Sequence, residues 1–396
     1  MQQNARLWTL PFVLLILGNG FTFMSFQMLI PTLPPYIEDI GATATQVGLV
    51  TTLFSIGAIM IRPYIGFLLE SQTRKKLVLI GSLSLLLLTM VYPLTQIIFL
   101  LLFLRFIHGV AWGWSTTVNG TAGVDLVPRS RIGEGMGYFG LSATIGMIIA
   151  PSLGIFIFQN YSFNLLIMIS AVLGTVGFIL FSLTAFRTPE AVQKTSIKDT
   201  KFSFFGSLID RNSWYPAFVT LMTTFAYGSI ITFLVIFGEN RGIEHIFLFY
   251  LVNAIMATIF RPLSGRFYDL KGPWLLILGS SLIAFVAMWI LVYAHHSWML
   301  ALSGGLFGIG FGSMMPGLQA WVISKTTVER SGVANGMFYS AIDLGIGMSG
   351  ILFGSIAQMF SLELGSVFAM SSFFFLIVFL LTWMDYKKEK TLTGQM

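Results

Sequence analysis

Arg62-Pro63-Tyr64-Ile65-Gly66-Phe67-Leu68-Leu69-Glu70 is answered 199 residues later by Arg261-Pro262-Leu263-Ser264-Gly265-Arg266-Phe267-Tyr268-Asp269. Arg, Pro, Gly and a carboxylate stand at the same spacing in both stretches. The offset persists along the chain. Gly109 and Gly113 return as Gly308 and Gly312, and Arg131, Gly133 and Gly137 return as Arg330, Gly332 and Gly336. In a chain of 396 residues this offset is close to half the length, so the sequence reads as two copies of one unit.

Composition says where such a chain lives. Hydrophobic residues make up 56%, charged residues only 10%, and the mean hydropathy is +0.84. Soluble domains carry about 25% charged residues, so this chain cannot clothe itself in a wettable surface and reads as an integral membrane protein. With no Cys, a disulfide framework and thiolate metal sites are excluded. The four histidines, His108, His245, His295 and His296, follow no metal-ligand spacing. No metal and no cofactor are expected. The N-terminal Met1-Gln2-Gln3-Asn4-Ala5-Arg6 runs straight into an apolar stretch without a small-residue cleavage site, and so reads as the lead-in to a retained first helix.

A helix crossing the bilayer needs about 20 apolar residues. Cutting the chain at its polar and Pro/Gly breaks predicts twelve such segments. They are 7–33, 45–69, 77–96, 98–123, 135–159 and 163–186, then 214–238, 245–268, 274–294, 297–323, 333–358 and 363–384. The predicted fold is an all-α membrane protein of two pseudo-symmetric six-helix halves. Residues 1–186 form the first bundle, 187–213 a solvated linker, and 214–396 the second bundle with a short tail. The linker mixes Lys194, Lys198, Lys201 and Arg211 with Glu190, Asp199 and Asp210.

Orientation follows from the cations, because cytoplasmic loops retain Lys and Arg. With the N-terminus inside, 18 of the 22 Lys and Arg residues fall in inner segments. The exceptions are Arg241 in an outer loop and Arg62, Arg105 and Arg261 within helices. Both termini are therefore expected in the cytoplasm of a multi-pass cell-membrane protein. This asymmetry also accounts for the net charge of +6 without a nucleic-acid partner.

The residues resemble a known family at this point, the major facilitator superfamily of secondary transporters. The loop Gly66-Phe67-Leu68-Leu69-Glu70-Ser71-Gln72-Thr73-Arg74-Lys75 is similar to the family's G-x-L-x-D-x-x-G-R-K signature, with Glu70 for Asp and Thr73 for the second Gly. The second copy, Gly265 to Gly272, keeps both that Asp (Asp269) and that Gly (Gly272). The resemblance implies that Gly66 and Gly265 admit a neighbouring helix. It implies too that Glu70 and Asp269, with Arg74, latch the cytoplasmic side through a helix N-terminus or an Arg. The fifth segment holds Gly137, Gly146, Ala150-Pro151 and Gly154-Ile155. This resembles G-x8-G-x3-G-P-x2-G-G, the antiporter signature of the family's twelve-helix drug/proton exporters, with Ala150 and Ile155 in place of glycines. Pro and Gly there permit a bend that seals against leakage. Ordinary Gly-rich helix packing is the alternative.

The fourth segment contains Arg105-Phe106-Ile107-His108-Gly109, similar to the family's R-x-x-Q-G with His108 for Gln. Arg105, His108, Trp112, Ser115 and Asn119 fall on one polar stripe at helical period. A charge at membrane depth costs about 2.5–3.5 kcal/mol on insertion scales, so Arg105 needs water or a partner unless it snorkels outward. His108 stands as a titrating group or as a hydrogen-bonded structural one. In the eleventh segment Asp343 shares a face with Gly332, Gly336, Gly347, Gly350 and Gly354. Asp343 and Arg62 sit at a similar depth and the family fold makes their helices neighbours. The pair is thus either a separable proton-coupling pair or a permanent ion pair. Asp343, His108, Arg62 and Arg105 are the proton-coupling candidates.

The resemblance further implies a cavity lined by the first, fourth, seventh and tenth helices. Its candidate liners are Asn19, Phe23 and Gln27; Trp112, Ser115 and Asn119; Phe225, Tyr227 and Phe233; and Gln319 and Trp321. Together they describe an apolar cavity with a few amides and hydroxyls, and no carboxylate to bind a cation. The expected function is proton-coupled efflux of a small, mostly apolar organic compound by alternating access. Export or import of an anionic or zwitterionic metabolite is the alternative. Partners are then the small-molecule substrate, protons and the lipid bilayer, and the protein is expected to be a monomer. No nucleophile or catalytic cluster marks an enzyme.

Overall fold

The structure, a computed structural model, describes residues 6–42, 44–189, 192, 202–360 and 363–392. Among these residues there is no strand. The helices are α1 (Leu10–Gln27), α2 (Leu29–Asp39), α3 (Ala44–Leu69), α4 (Arg74–Val91), α5 (Ile98–Leu126), α6 (Ile132–Asn160), α7 (Phe163–Leu183), α8 (Phe204–Leu208), α9 (Trp214–Asn240), α10 (Phe247–Lys271), α11 (Pro273–Val292), α12 (Ser297–Ser324), α13 (Ser331–Met359) and α14 (Leu364–Leu392). Eleven stretches among the described residues are long and apolar enough to span a membrane. Among the described residues the one remaining long helix is α13, of 29 residues, so the multi-pass membrane fold has eleven to twelve apolar helices.

Two boundaries differ from the sequence reading for local reasons. Within the first span α1 gives way to α2 at Met28, whose backbone stays helical (φ −61°, ψ −32°) and whose N–H still reaches Met24 O at 3.3 Å. Just beyond it, Pro31 lacks the N–H that would reach back to Gln27 O. The last helix continues to Leu392, beyond the apolar run that ends near 384. Trp274 Nε1 donates to Asp385 at 2.9 Å, and Lys387 and Lys390 lie over Trp383 and Tyr386, so the polar turns are held by side-chain contacts.

The duplication is repeated in the packing. A Cβ on Gly109 or Gly113 would collide with the α3 backbone at Phe54 and Ala58. One offset later, a Cβ on Gly308 or Gly312 would collide with α10 at Asn253 and Ala257. Each pair is therefore a seam of two helices in backbone contact, which only missing side chains allow. One position breaks the symmetry. Gly272 closes α10 with φ +76°, donating to Tyr268 O at 2.8 Å, a left-handed backbone that favours glycine. Its counterpart Thr73 has φ −68°, so the first copy turns differently and needs no glycine there.

The chain clusters into two compact units. One contains residues 1–129, 139–210 and 326–337; the other contains 130–138, 211–325 and 338–396. Each unit thus includes a short stretch from the other half of the sequence. Residues 187–189, 192 and 202–213 of the predicted linker are described; Glu190, Lys194, Lys198, Asp199 and Lys201 lie outside the described residues. Its end is not simply solvated. Phe202 packs edge-on against Tyr64 and Phe67, Asp210 is buried, and Ser213 donates to Val322 O at 2.7 Å.

Candidate functional site

In the second unit, Asp269 sits in the last turn of α10 and accepts two backbone amides at the start of α6. Oδ1 takes Gly133 N at 2.8 Å and Oδ2 takes Glu134 N at 3.0 Å. A carboxylate there satisfies orphan N–H groups and meets the positive end of the helix dipole. Glu134 is in turn held by Arg266 at 2.8 Å and by Arg131 at 2.6 Å. The approach is close because a Cβ on Gly133 would stand 2.6 Å from Gly265 O, and one on Gly265 would clash with Gly133. Gly137 likewise faces Arg261 O, at 2.8 Å from an added Cβ.

The first unit holds the equivalent cluster, built differently. Glu70 reaches a side chain rather than amides: Arg330 Nη1 lies 3.5 Å from its Oε1. The same guanidinium gives Nε to Asp210 at 2.9 Å and Nη2 to Gly206 O at 2.8 Å. Burial raises the Glu70 carboxyl above the usual glutamate range, with Arg330 drawing it back and Asp210 pushing it further up. Gly66 meets Val333, whose Cα would be 3.0 Å from an added Cβ. Where the second copy has the Arg266–Glu134 pair, the first has Phe67 and Val333, and the aromatic contact with Phe202 replaces the ion pair. Arg74 is fully buried, pairs with Asp125 at 2.6 Å and also donates to Leu69 O.

Deeper in the first unit, the polar stripe of α5 is bonded into the bundle. Asn119 Nδ2 donates to Asn19 Oδ1 and to Ser115 Oγ, both at 3.3 Å, and Asn19 donates to Ser142 at 2.9 Å. The amides predicted to line a cavity are therefore buried and bonded mainly to one another here. Gln27 is buried as well, and Trp112 stacks on Phe26 at 4.0 Å with Phe23 edge-on. Arg62 is buried, with Nη1 at 3.3 Å from both Thr116 and Thr117 Oγ1.

Arg105 does not snorkel. It is 2% exposed, donates Nε to Val50 O at 3.3 Å and lies 4.4 Å over the Phe54 ring. His108, wholly buried, has Nδ1 at 3.0 Å from Tyr92 Oη.

In the second unit Tyr227 lies tilted against Phe311 at 4.3 Å, Gln319 donates to Tyr339 at 3.3 Å, and Trp321 is buried beside Tyr215. Asp343 is half-buried on α13. Arg62 and Asp343 belong to different units.

Gly133, Gly137, Gly146 and Gly154 of α6 lie in close contacts. An added Cβ on Gly146 would be 3.0 Å from Phe23 Cβ, and one on Gly154 would be 2.7 Å from Met28 O. Pro151 lies inside the continuous helix.

Sequence reasoning missed four residues of these clusters. Glu134 had a signal, since it follows Arg131 by three residues at a helix start. Asp210 was hidden among linker charges, and Tyr92 and Phe26 carry no pattern that singles them out.

The family model of the Major Facilitator Superfamily matches residues 15–294 and 274–395. Among curated proteins, the multidrug resistance protein MdtG of Salmonella arizonae is 26% identical over 80% of this chain and 81% of its own length. An uncharacterized MFS-type transporter of Methanocaldococcus jannaschii is 23% identical over 93% of this chain and 96% of its own. Among solved structures, the human organic anion transporter MFSD10 superposes with a TM-score of 0.79 at 16% identity, covering 94% of this chain and 99% of that one. The transporter FucP in its outward conformation gives 0.79 at 16% identity, with 96% and 99% covered. At this identity the structural likenesses show the fold alone.

Proposed function

The chain belongs to the major facilitator superfamily, a family of transporters rather than enzymes, and on that premise we propose that it is a proton-coupled exporter of small, mostly apolar organic compounds. It works by alternating access in the cell membrane, as a monomer with both termini cytoplasmic. The observation that carries this reading is the state of α6. Gly137, Gly146 and Gly154 each lie within contact of a neighbouring helix's backbone or Cβ, and Pro151 sits among them inside an unbroken helix. This is the pattern of the antiporter signature, and the likeness to MdtG, named as a multidrug resistance protein, supports it. Glu70 and Asp269 then act as two cytoplasmic latches that release when the protein opens inward. Asp343 is the leading proton carrier in this reading, with His108, Arg62 and Arg105 as the further candidates.

Inverted membrane vesicles test the reading. An imposed pH gradient should drive accumulation of hydrophobic dyes, and a protonophore should abolish it. Accumulation that ignores the protonophore would remove proton coupling; no accumulation across a broad compound panel would remove export of apolar compounds. Transport of an anionic or zwitterionic metabolite is the second reading, favoured by the burial of Arg105 without a carboxylate partner among the described residues.

A further inference from the structure

Among the described residues, the environment of Arg105 is a donor-rich cluster without an anion. Its charge is out of water, and a buried ion costs several kcal/mol unless paired. What it has is Val50 O through Nε, the Tyr92 hydroxyl within hydrogen-bonding reach, the Phe54 ring at 4.4 Å and the Phe26 ring at 5.6 Å. Desolvated cation–π contact offsets part of that cost and leaves the charge unneutralised. Nη1 is buried with no hydrogen-bond partner. No carboxylate among the described residues pairs with it.

His108 is three residues on along α5 and so on the same face. Its Nε2 is also buried without a partner. The protonation pattern follows from counting donors. The Tyr92 hydroxyl has His108 Nδ1 as its hydrogen-bond partner at 3.0 Å. If Nδ1–H donated to the phenol, the phenol hydrogen and the Nε2 lone pair would both be stranded. If the phenol donates to Nδ1, only Nε2–H remains unused. The second arrangement leaves fewer orphans, so Nε2 carries the ring proton. The cluster then presents two spare N–H donors, one cationic, and, beyond the Tyr92 oxygen that faces Arg105, no carboxylate among the described residues to receive them. Stranded buried donors are costly.

We propose that Arg105 and His108, with Tyr92 as the positioning residue that holds the imidazole, form a binding site for a carboxylate borne on an aromatic or otherwise apolar body. The planar guanidinium suits a carboxylate's two oxygens, and the walls are rings: Phe26 stacks on Phe54 at 5.0 Å and on Trp112 at 4.0 Å. Phe26 covers the site, so the ligand enters when that ring on α1 moves aside. This deepens the second reading above and specifies its substrate class.

Benzoate is the probe, with benzamide as its uncharged isostere. Equilibrium dialysis of labelled benzoate against the full-length protein in lipid nanodiscs should show saturable binding that benzamide does not displace. Arg105→Gln should weaken it at least tenfold, and Arg105→Lys should weaken it less. Tyr92→Phe should weaken it several-fold by freeing the imidazole. His108→Phe removes the Nε2 donor and leaves the Arg intact, so it decides the matter if Arg105→Gln fails to fold; it too should weaken binding several-fold. No saturable benzoate binding by the wild type, displacement by benzamide with equal strength, or unchanged binding in both Arg105→Gln and His108→Phe would overturn the site. The outcome is separable from the efflux reading. Dye export driven by a pH gradient, without benzoate binding, removes the site alone; benzoate binding without any such export removes the coupling alone.

Discussion

Asp269 accepts the backbone amide of Gly133 at 2.8 Å, whereas its counterpart one repeat earlier, Glu70, is paired with the Arg330 side chain at 3.5 Å. The same position in two copies of one unit therefore uses two chemistries, a helix cap and an ion pair. The extra methylene of Glu carries its carboxylate further from its own backbone, toward a side chain.

Neutralising the latches should separate them. Asp269→Asn keeps one acceptor for the α6 amides and loses the charge that meets the helix dipole, a loss of about 0.3–1 kcal/mol. Glu70→Gln loses the Arg330 pair, while Asp210 still holds that guanidinium. Both should lower transport with expression largely intact, Asp269→Asn the more strongly. Wild-type uptake rates in both variants would remove the latch assignment.

The Glu70 carboxyl also predicts a pH dependence. Its proton affinity is raised by burial in the folded protein. The folded state thus holds this proton more tightly than the unfolded chain, so the group favours folding below the ordinary glutamate value. That contribution fades as pH rises through the raised value. Thermal melts in detergent, taken from about pH 4 upward across the glutamate range, should show a wild-type decline that Glu70→Gln flattens. Parallel curves for the two proteins would contradict it.

Arg74 and Asp125 form a buried pair at 2.6 Å. Removing one partner of such a pair strands the other and typically costs about 3–5 kcal/mol, whereas replacing both with apolar residues is often neutral. Arg74→Met should therefore melt well below wild type, and Arg74→Met with Asp125→Leu should recover most of the loss. A double variant no better than the single one would argue against the pair as the cause.

Gly146 and Pro151 bear on coupling. Gly146→Leu drives a side chain into Phe23, whose Cβ is already 3.0 Å from an added Cβ, and should abolish gradient-driven export. Pro151→Ala should leave folding intact and weaken coupling. If both variants export at the wild-type rate in vesicles, the glycines of α6 serve packing only.

Asp343→Asn should abolish gradient-driven transport and still permit downhill exchange, as expected of a carrier that can no longer lose its proton. His108→Gln retains a side-chain N–H and should be milder. Uphill transport by Asp343→Asn at the wild-type rate would shift the search for the carrier to His108.

Much of this architecture was legible in the chain. Runs of apolar residues long enough to cross a bilayer announce themselves, because membrane helices satisfy their own hydrogen bonds. The repeated Arg-Pro-x-x-Gly frame picked out the carboxylates of Glu70 and Asp269 and the glycine seams at Gly109 and Gly308. What stayed hidden depends on contacts between residues far apart in sequence. Asp210 looks like one of many linker charges until Arg330, 120 residues away, is placed on it. Tyr92 follows an apolar helix and resembles an interfacial tyrosine until His108 Nδ1 is found beside it. The amides Asn19 and Asn119 and the Ser115 hydroxyl were recognised as cavity liners, but not that they bond to one another. Nor did the Gly-to-Thr change at Thr73 disclose its cause, which lies in a backbone angle.

The exchange of residues 130–138 and 326–337 between the compact units bears on how the protein could be divided. A gene cut within the linker would yield two polypeptides, each carrying away a piece that completes the other. The C-terminal product would lack Gly133 to pack on Gly265, and the N-terminal product would lack Val333 to pack on Gly66. Made apart, each fragment would leave its glycine without that packing partner. Made together, the two products could re-form both contacts, so co-expression should restore what neither fragment supplies alone.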